Sequence, residues 1–275
     1  MDWLRAATRL RDAGEPGVLI TVVGVRGHAP RDAGAKMVVG PERSWGSIGG
    51  GNLEEAAIAR ARTMITEGSA AVVTETVQLN PHVRTEFGRQ CCGGEVTIVF
   101  EPLAARPTIA IFGIGHVGFE IARIVSRWDV RLHLVDSRHE ELDPLRLVEI
   151  TDGDADVEVH RAVLGETILE RLPRGSHVLI LTHDHAEDFA LCDWALRRPE
   201  GQLGSIGLIG SSAKWSRFRT NLADHGHPAE AIARIQCPIG LPSISGKEPA
   251  VIAVSVAAAL LQSLQSRQRV EVGRA

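Results

Sequence analysis

The chain has 275 residues, 44% of them hydrophobic and 23% charged, which is enough length and apolar content for one large or two modest domains and excludes disorder as the main state. Thirty Lys and Arg against 34 Asp and Glu leave a net charge of −4, so no global positive field gathers nucleic acid or anionic lipid. Six Phe, five Trp and no Tyr exclude base-stacking platforms and the tyrosine-dependent dehydrogenases. No apolar run approaches the roughly 18 residues of a membrane span, and the amino terminus lacks the pattern of a signal peptide. Cysteines at 91, 92, 192 and 237 form neither a disulfide framework nor a Cys-x-x-Cys zinc pattern, which points to a reducing cytoplasm.

In chain order, Asp2 to Asp12 reads as a short amphipathic helix, Val18 to Val25 as a buried strand and Lys36 to Val39 as another. A glycine-rich loop from Ser44 to Asn52 feeds a helix whose apolar stripe Leu53, Ala57, Ala61, Met64 and Ile65 stops at Gly68. Strands near Ala71–Val77 and Glu95–Phe100 complete a small α+β domain, expected over 1–104, and the linker Glu101 to Pro107 marks its end. Over 105–275 the rhythm changes. Strand Thr108–Phe112, a helix stripe from Val117 to Trp128, strand Arg131–Val135 and further strands near His177–Leu181 and Ser205–Ile209 predict a Rossmann-like, doubly wound parallel sheet. The last helix, VIAVSVAAALLQSL, is apolar around most of its girth and is expected to be buried or to form a homodimer contact.

Five segments carry candidate chemistry. Gly113-Ile114-Gly115-His116-Val117-Gly118 is a G-x-G-x-x-G turn between strand and helix, and Asp136 ends the second strand, where its carboxylate can accept from a ribose hydroxyl. An NAD(P)-dependent oxidoreductase built on Gly113, Gly115, Gly118 and Asp136 is therefore one reading, and Gly115→Val is expected to damage the turn or its ligand site. Gly49, Gly50, Gly51 and Asn52 align amides into a second anion nest, or simply make a turn. Cys91 and Cys92, flanked by Arg89, Gly93 and Gly94, suit a soft metal or sulfur transfer. His183 and His185 with Asp188, just past a strand, have the donor set of a divalent metal site, hence of a metal-dependent hydrolase, or else cap the next helix. Gly210, Ser211 and Lys214 form a further strand-to-helix turn able to clasp an anion.

Taken in order, GHAPRDAGAKMVV, SIGGGNLEEA, GRQCCGGEVTIVFEP, IAIFGIGHVG, LILTHDHAED, IGLIGSSAKWSRFR and CPIGLPSISGKEPAVIAVSVAAALL resemble the XdhC/CoxI family, accessory proteins of xanthine dehydrogenase and related molybdenum hydroxylases. The resemblance spans about Gly17 to Leu261 and departs only in SISGK, where serine stands in place of an expected glycine or acidic residue. It implies a protein that binds the molybdenum cofactor (molybdopterin), supports its sulfuration with a cysteine desulfurase and hands it to an apo-hydroxylase. It further implies that Cys91 and Cys92 handle the cofactor while the glycine loops hold its pterin and phosphate.

Overall fold

The computed structural model describes the backbone of residues 2–79, 84–85, 88–89 and 93–272. The chain divides into two compact units, one up to Arg106 and the other Pro107–Ser266. Cys91 and Cys92 lie outside the described residues.

In the first unit, α1 (Trp3–Ala13) starts where Asp2 accepts the Leu4 amide at 3.0 Å and stops at Gly14, whose φ of 67° is left-handed. Strands β1 (Gly17–Arg26), β2 (Lys36–Val39) and β3 (Ser44–Gly46) follow, then α2 (Gly51–Glu67) and β4 (Val73–Gln78). A two-residue pair, β5 (Arg84–Thr85) with β6 (Gly88–Arg89), precedes β7 (Glu95–Leu103). The five-stranded sheet, in order β3-β2-β1-β7-β4, is antiparallel throughout. Side-chain alternation splits it cleanly. Val18, Ile20, Val22, Met37 and Val39 pack under Leu53, Ala57, Ala61 and Met64 of α2, while Leu19 and Val38 meet Ala6 and Leu10 of α1.

The second unit runs β8 (Thr108–Phe112), α3 (His116–Val125), β9 (Arg131–Asp136), a short 3-10 turn at Glu140–Leu142, α4 (Pro144–Thr151) and β10 (Asp156–Arg161). It continues with α5 (Glu166–Arg171), β11 (Ser176–Ile180), α6 (His185–Arg197), β12 (Leu203–Leu208), α7 (Ser212–Asp224), α8 (Ala229–Ile232), β13 (Ile235–Gln236) and α9 (Pro249–Val272). All six strands are parallel, in order β10-β9-β8-β11-β12-β13. The order reverses between β8 and β11, which makes the carboxyl ends of those two strands the topological switch point of a doubly wound Rossmann sheet. Every residue of β8 and β11 is buried, because helices cover both faces. Ala110, Phe112, Val178 and Ile180 feed one core, and Ile109, Ile111 and Leu179 feed the other.

Two local expectations change. Ser44–Gly46 is a strand rather than loop, pairing Trp45 with Val38. The last helix buries only a stripe, Ala253, Val256, Ala257 and Leu260, and leaves Val254 and Leu261 exposed, because it lies against one sheet face instead of between elements. Among the described residues, no helix is long and apolar enough to cross a membrane.

Candidate functional site at the carboxyl edge of the parallel sheet

Four of the singled-out turns leave the same edge of the second unit's sheet: Gly113–Gly118 after β8, Asp136 at the end of β9, Thr182–Asp188 after β11 and Gly210–Lys214 after β12. Open α/β sheets gather ligands there because loops and helix amino ends converge on it. The glycines of the first turn differ in duty. A Cβ on Gly113, whose φ is 99°, would overlap the Leu181 carbonyl, and one on Gly118 would overlap the Gly113 carbonyl. A Cβ on Gly115 meets only the Arg138 Nη2, at 3.8 Å. Hence the fold needs Gly113 and Gly118, whereas Gly115 keeps open the space in front of the α3 amino end. Of the two outcomes expected of Gly115→Val, damage to the turn or to a ligand site, this geometry favours the second.

Asp136 is 3% exposed and already occupied. Its Oδ2 accepts from the Ile114 amide at 2.7 Å and Arg138 Nη2 at 2.9 Å, and its Oδ1 from the Arg138 amide at 2.9 Å and Nε at 3.0 Å. Burial pushes the carboxyl up, but the Arg138 side chain and the two amides outweigh it and hold the group below the usual aspartate value. Both oxygens are saturated, leaving no lone pair for a ribose hydroxyl. Asp136 clamps the turn to β9.

The His183, His185 and Asp188 set does not converge on one point. Asp184 caps α6 by accepting the Ala186 amide at 2.8 Å, which turns the segment helical rather than strand-like. Asp188 then faces inward, fully buried, accepting from the Thr182 amide at 2.9 Å and Oγ1 at 2.7 Å and pairing with the Lys214 ammonium. His183 stays half exposed beside Glu187 at 3.9 Å, and His185 lies edge-on to Phe218. Metal ligation by these three is corrected to a buried ion pair and a helix cap.

Lys214 likewise is no free anion clasp. Its Nζ also donates to the Ile209 carbonyl at 2.9 Å, so ammonium and carboxylate staple β12 to α6. Ser211 caps α7, accepting the Lys214 amide at 3.2 Å. Glu187, also at this edge, is shifted the other way from Asp136. Burial raises its carboxyl, His183 opposes that, and the nearby Asp136, Asp188 and Asp184 add to the rise.

In the first unit the glycine nest is also filled from within. Glu54, in the first turn of α2, accepts from Ser47 Oγ at 2.6 Å, the Ile48 amide at 3.1 Å and the Gly50 amide at 3.0 Å. Burial raises its carboxyl, but the Ser47 hydroxyl and the loop amides prevail and keep it low. Of the expected phosphate nest Gly49, Gly50, Gly51 and Asn52, the Gly50 amide is thus turned to an internal carboxylate and the Gly49 amide to Ser47 Oγ at 3.1 Å.

What sequence reading missed is a cavity of about 660 Å³ on the carboxyl side of β12 and β13. Ile209, Gly210 and Ser211 form one wall and the segment Pro238–Lys247 the other, with Val251, Ile252 and Ser255 of α9 as its floor. The segment is pinned: the Leu241 amide donates to Ser255 Oγ at 2.8 Å, and Gln236 Nε2 donates to the Gly240 carbonyl at 2.7 Å. Gly240 has φ of 95° and its α-carbon sits against Ser255, so no side chain fits there. The amino ends of α7 and α9 border the cavity, adding a positive dipole end to an otherwise apolar lining with three serines and Lys247. Next to it, burial pushes the Cys237 thiol up to about 11, so at neutral pH it is a protonated, poorly nucleophilic group. The signal was present in Pro238-Ile239-Gly240-Leu241-Pro242, two prolines around a glycine between short elements, but nothing local reveals that it folds over Gly210.

Residues 10–77 match the model of the XdhC and CoxI family, and residues 109–260 match that of the XdhC Rossmann domain. The uncharacterized protein YqeB of Escherichia coli (strain K12) is 26% identical over 264 residues, 95% of this chain; the chain spans 46% of that protein's length. A Bacillus halodurans crystal structure described as a xanthine dehydrogenase is 19% identical, with 97% of each chain covered and a TM-score of 0.48. An imine reductase variant from Myxococcus stipitatus in complex with NAD+ is 13% identical over 58% of this chain and 60% of its own, with a TM-score of 0.21. With one family model covering most of the parallel-sheet unit and the other much of the antiparallel one, the chain belongs to the XdhC and CoxI family.

Proposed function

We propose that this protein is an accessory factor of xanthine dehydrogenase or a related molybdenum hydroxylase, binding the molybdenum cofactor, supporting its sulfuration together with a cysteine desulfurase, and delivering it to the apo-enzyme. The observation that carries the reading is the cavity between Ile209–Ser211 and Pro238–Lys247, within a domain of this family. Its volume lies within the usual range for small-molecule sites. Ile239, Leu241, Pro242 and Ile244 offer apolar lining for a fused heterocycle, and Lys247 with the helix amino ends offers the counter-charge for a phosphate. A pterin with a phosphate tail has that combination. Cys237, protonated and tied to the Gly210 carbonyl at 3.8 Å, is unsuited to bind molybdenum, so the soft ligands are assigned to Cys91 and Cys92.

In this reading the chain's residues bind and shield. Ser211 and Ser245 offer hydroxyls, and Lys247 anchors the anionic end. The saturated oxygens of Asp136 speak against a nicotinamide enzyme, and the Asp188–Lys214 pair against a hydrolase metal.

The test is retention of molybdenum, by elemental mass spectrometry, after anaerobic incubation with freshly released cofactor and desalting. Ser245→Trp, which fills the cavity from its exposed rim, is expected to cut retention at least about tenfold, equivalent to about 1.4 kcal/mol, and Lys247→Glu to act in the same direction. Cys91→Ser with Cys92→Ser is expected to abolish transfer to the hydroxylase without unfolding the chain. Wild-type protein that emerges free of molybdenum overturns the reading, and a Ser245→Trp protein that retains as much as wild type removes the cavity from it.

A further inference from the structure

At the opposite side of the sheet from the cavity, on its β9–β10 edge, three ligand-type side chains meet. His133 on β9 is paired in register with Glu158 on β10, and His160 follows two residues later, so the parallel ladder brings all three to one face. His133 Nδ1 lies 2.9 Å from His160 Nε2, and each of these nitrogens lies 3.7 Å from Glu158 Oε2. The rings are stacked, with centroids 5.1 Å apart and planes at 21°. Zinc bonds of about 2.0–2.1 Å arranged tetrahedrally place neighbouring donor atoms about 3.3–3.4 Å apart, a value that the observed spacings bracket.

Three further features fit a ligand set better than a chance cluster. His133 is 8% exposed between Leu132 and Leu134, so packing holds the ring with its Nδ1 edge turned to His160 and Glu158. Arg131 lies 3.5 Å from Glu158 Oε1 and 3.4 Å from Asp156, which orients the carboxylate with Oε2 toward the histidines, as an outer partner orients a metal ligand. His160 and Glu158 are partly exposed, leaving a path for an ion and a fourth, solvent-facing position.

We propose that His133, Glu158 and His160 form a binding site for a zinc-class divalent transition metal. Two imidazoles and one carboxylate are borderline donors that favour Zn2+ or Co2+ over the all-oxygen shells of Mg2+ and Ca2+. A bound ion would join the edge strand β10 to β9 through side chains as well as the ladder.

The experiment uses the full chain carrying Cys91→Ser and Cys92→Ser, stripped with chelator and titrated calorimetrically with Zn2+ alone. One ion per chain is expected, with a dissociation constant of about 10 μM or tighter. Because His133 is buried, the variants are His160→Ala and Glu158→Gln on the exposed side, each checked for native circular dichroism. Each is expected to weaken binding at least about tenfold, in line with the loss of a ligand. Co2+ in place of Zn2+ is expected to give the visible bands of a nitrogen and oxygen site, lost in His160→Ala. Binding weaker than about 100 μM, or binding that both variants leave unchanged, overturns the proposal.

Discussion

Asp188 and Lys214 have side-chain exposures of 0% and 9%, and each satisfies the other far more than solvent does. Removing one charge leaves its partner desolvated, so Lys214→Met is expected to cost about 3–5 kcal/mol, read by urea unfolding, and Asp188→Asn in the same chain to restore part of it. Glu54 and Asp136 give a pH dependence whose sign follows from their depressed values. Each contributes stability that is complete above the unfolded carboxyl range of about 3.9–4.3 and is lost as pH falls through the lower folded value. Melting temperature should therefore decline below about pH 4, and Glu54→Gln should flatten part of that decline while lowering stability at pH 7. The Asp188–Lys214 pairing was not legible beforehand. Lys214 lies 26 residues from Asp188, and a lysine in the first turn of a helix reads as solvated until the chain is folded.

The turn between β8 and α3 tests how an element uses its glycines. Gly118→Ala is expected to destabilise by a few kcal/mol, since the new methyl lands on the Gly113 carbonyl, whereas Gly115→Ala should change stability by under about 1 kcal/mol. Comparable melting of the two variants would count against the geometry. This unit was readable in the sequence because a five-residue strand apolar in all but its first position, Thr108–Phe112, and a helical stripe flank the glycines. Strand β10 was missed although Asp156-Val-Glu-Val-His-Arg alternates polar and apolar, the pattern of a half-buried strand, because only three residue pairs of that alternation are present and its pairing with β9 lies 25 residues earlier in the chain. Helices α4 and α5, eight and six residues long, fell below the length at which periodicity speaks.

Across the molecule, each unit has its own core: Ile20, Ile98 and Phe100 serve the antiparallel sheet, Ile111, Leu134 and Leu179 the parallel one. Phe100→Ala, at a site 2% exposed, is expected to cost about 3–5 kcal/mol, and hydrogen exchange should register the loss first in the amides of β1, β4 and β7. Fold class was legible at this scale because the change from clustered strands to alternating strand and helix is a global rhythm. The cavity was not, since its two walls are about thirty residues apart and its floor is a helix whose sequence announces only that it is apolar.

Gly49 to Gly51 have one more lesson. A run of glycines is usually taken as a vacancy awaiting an outside anion, yet here the tenant is encoded four residues further on, as Glu54. Any phosphate seeking this loop must first evict a resident carboxylate, so screens that rank such loops by glycine spacing alone will overcount receptors unless they also check whether the following helical turn is acidic.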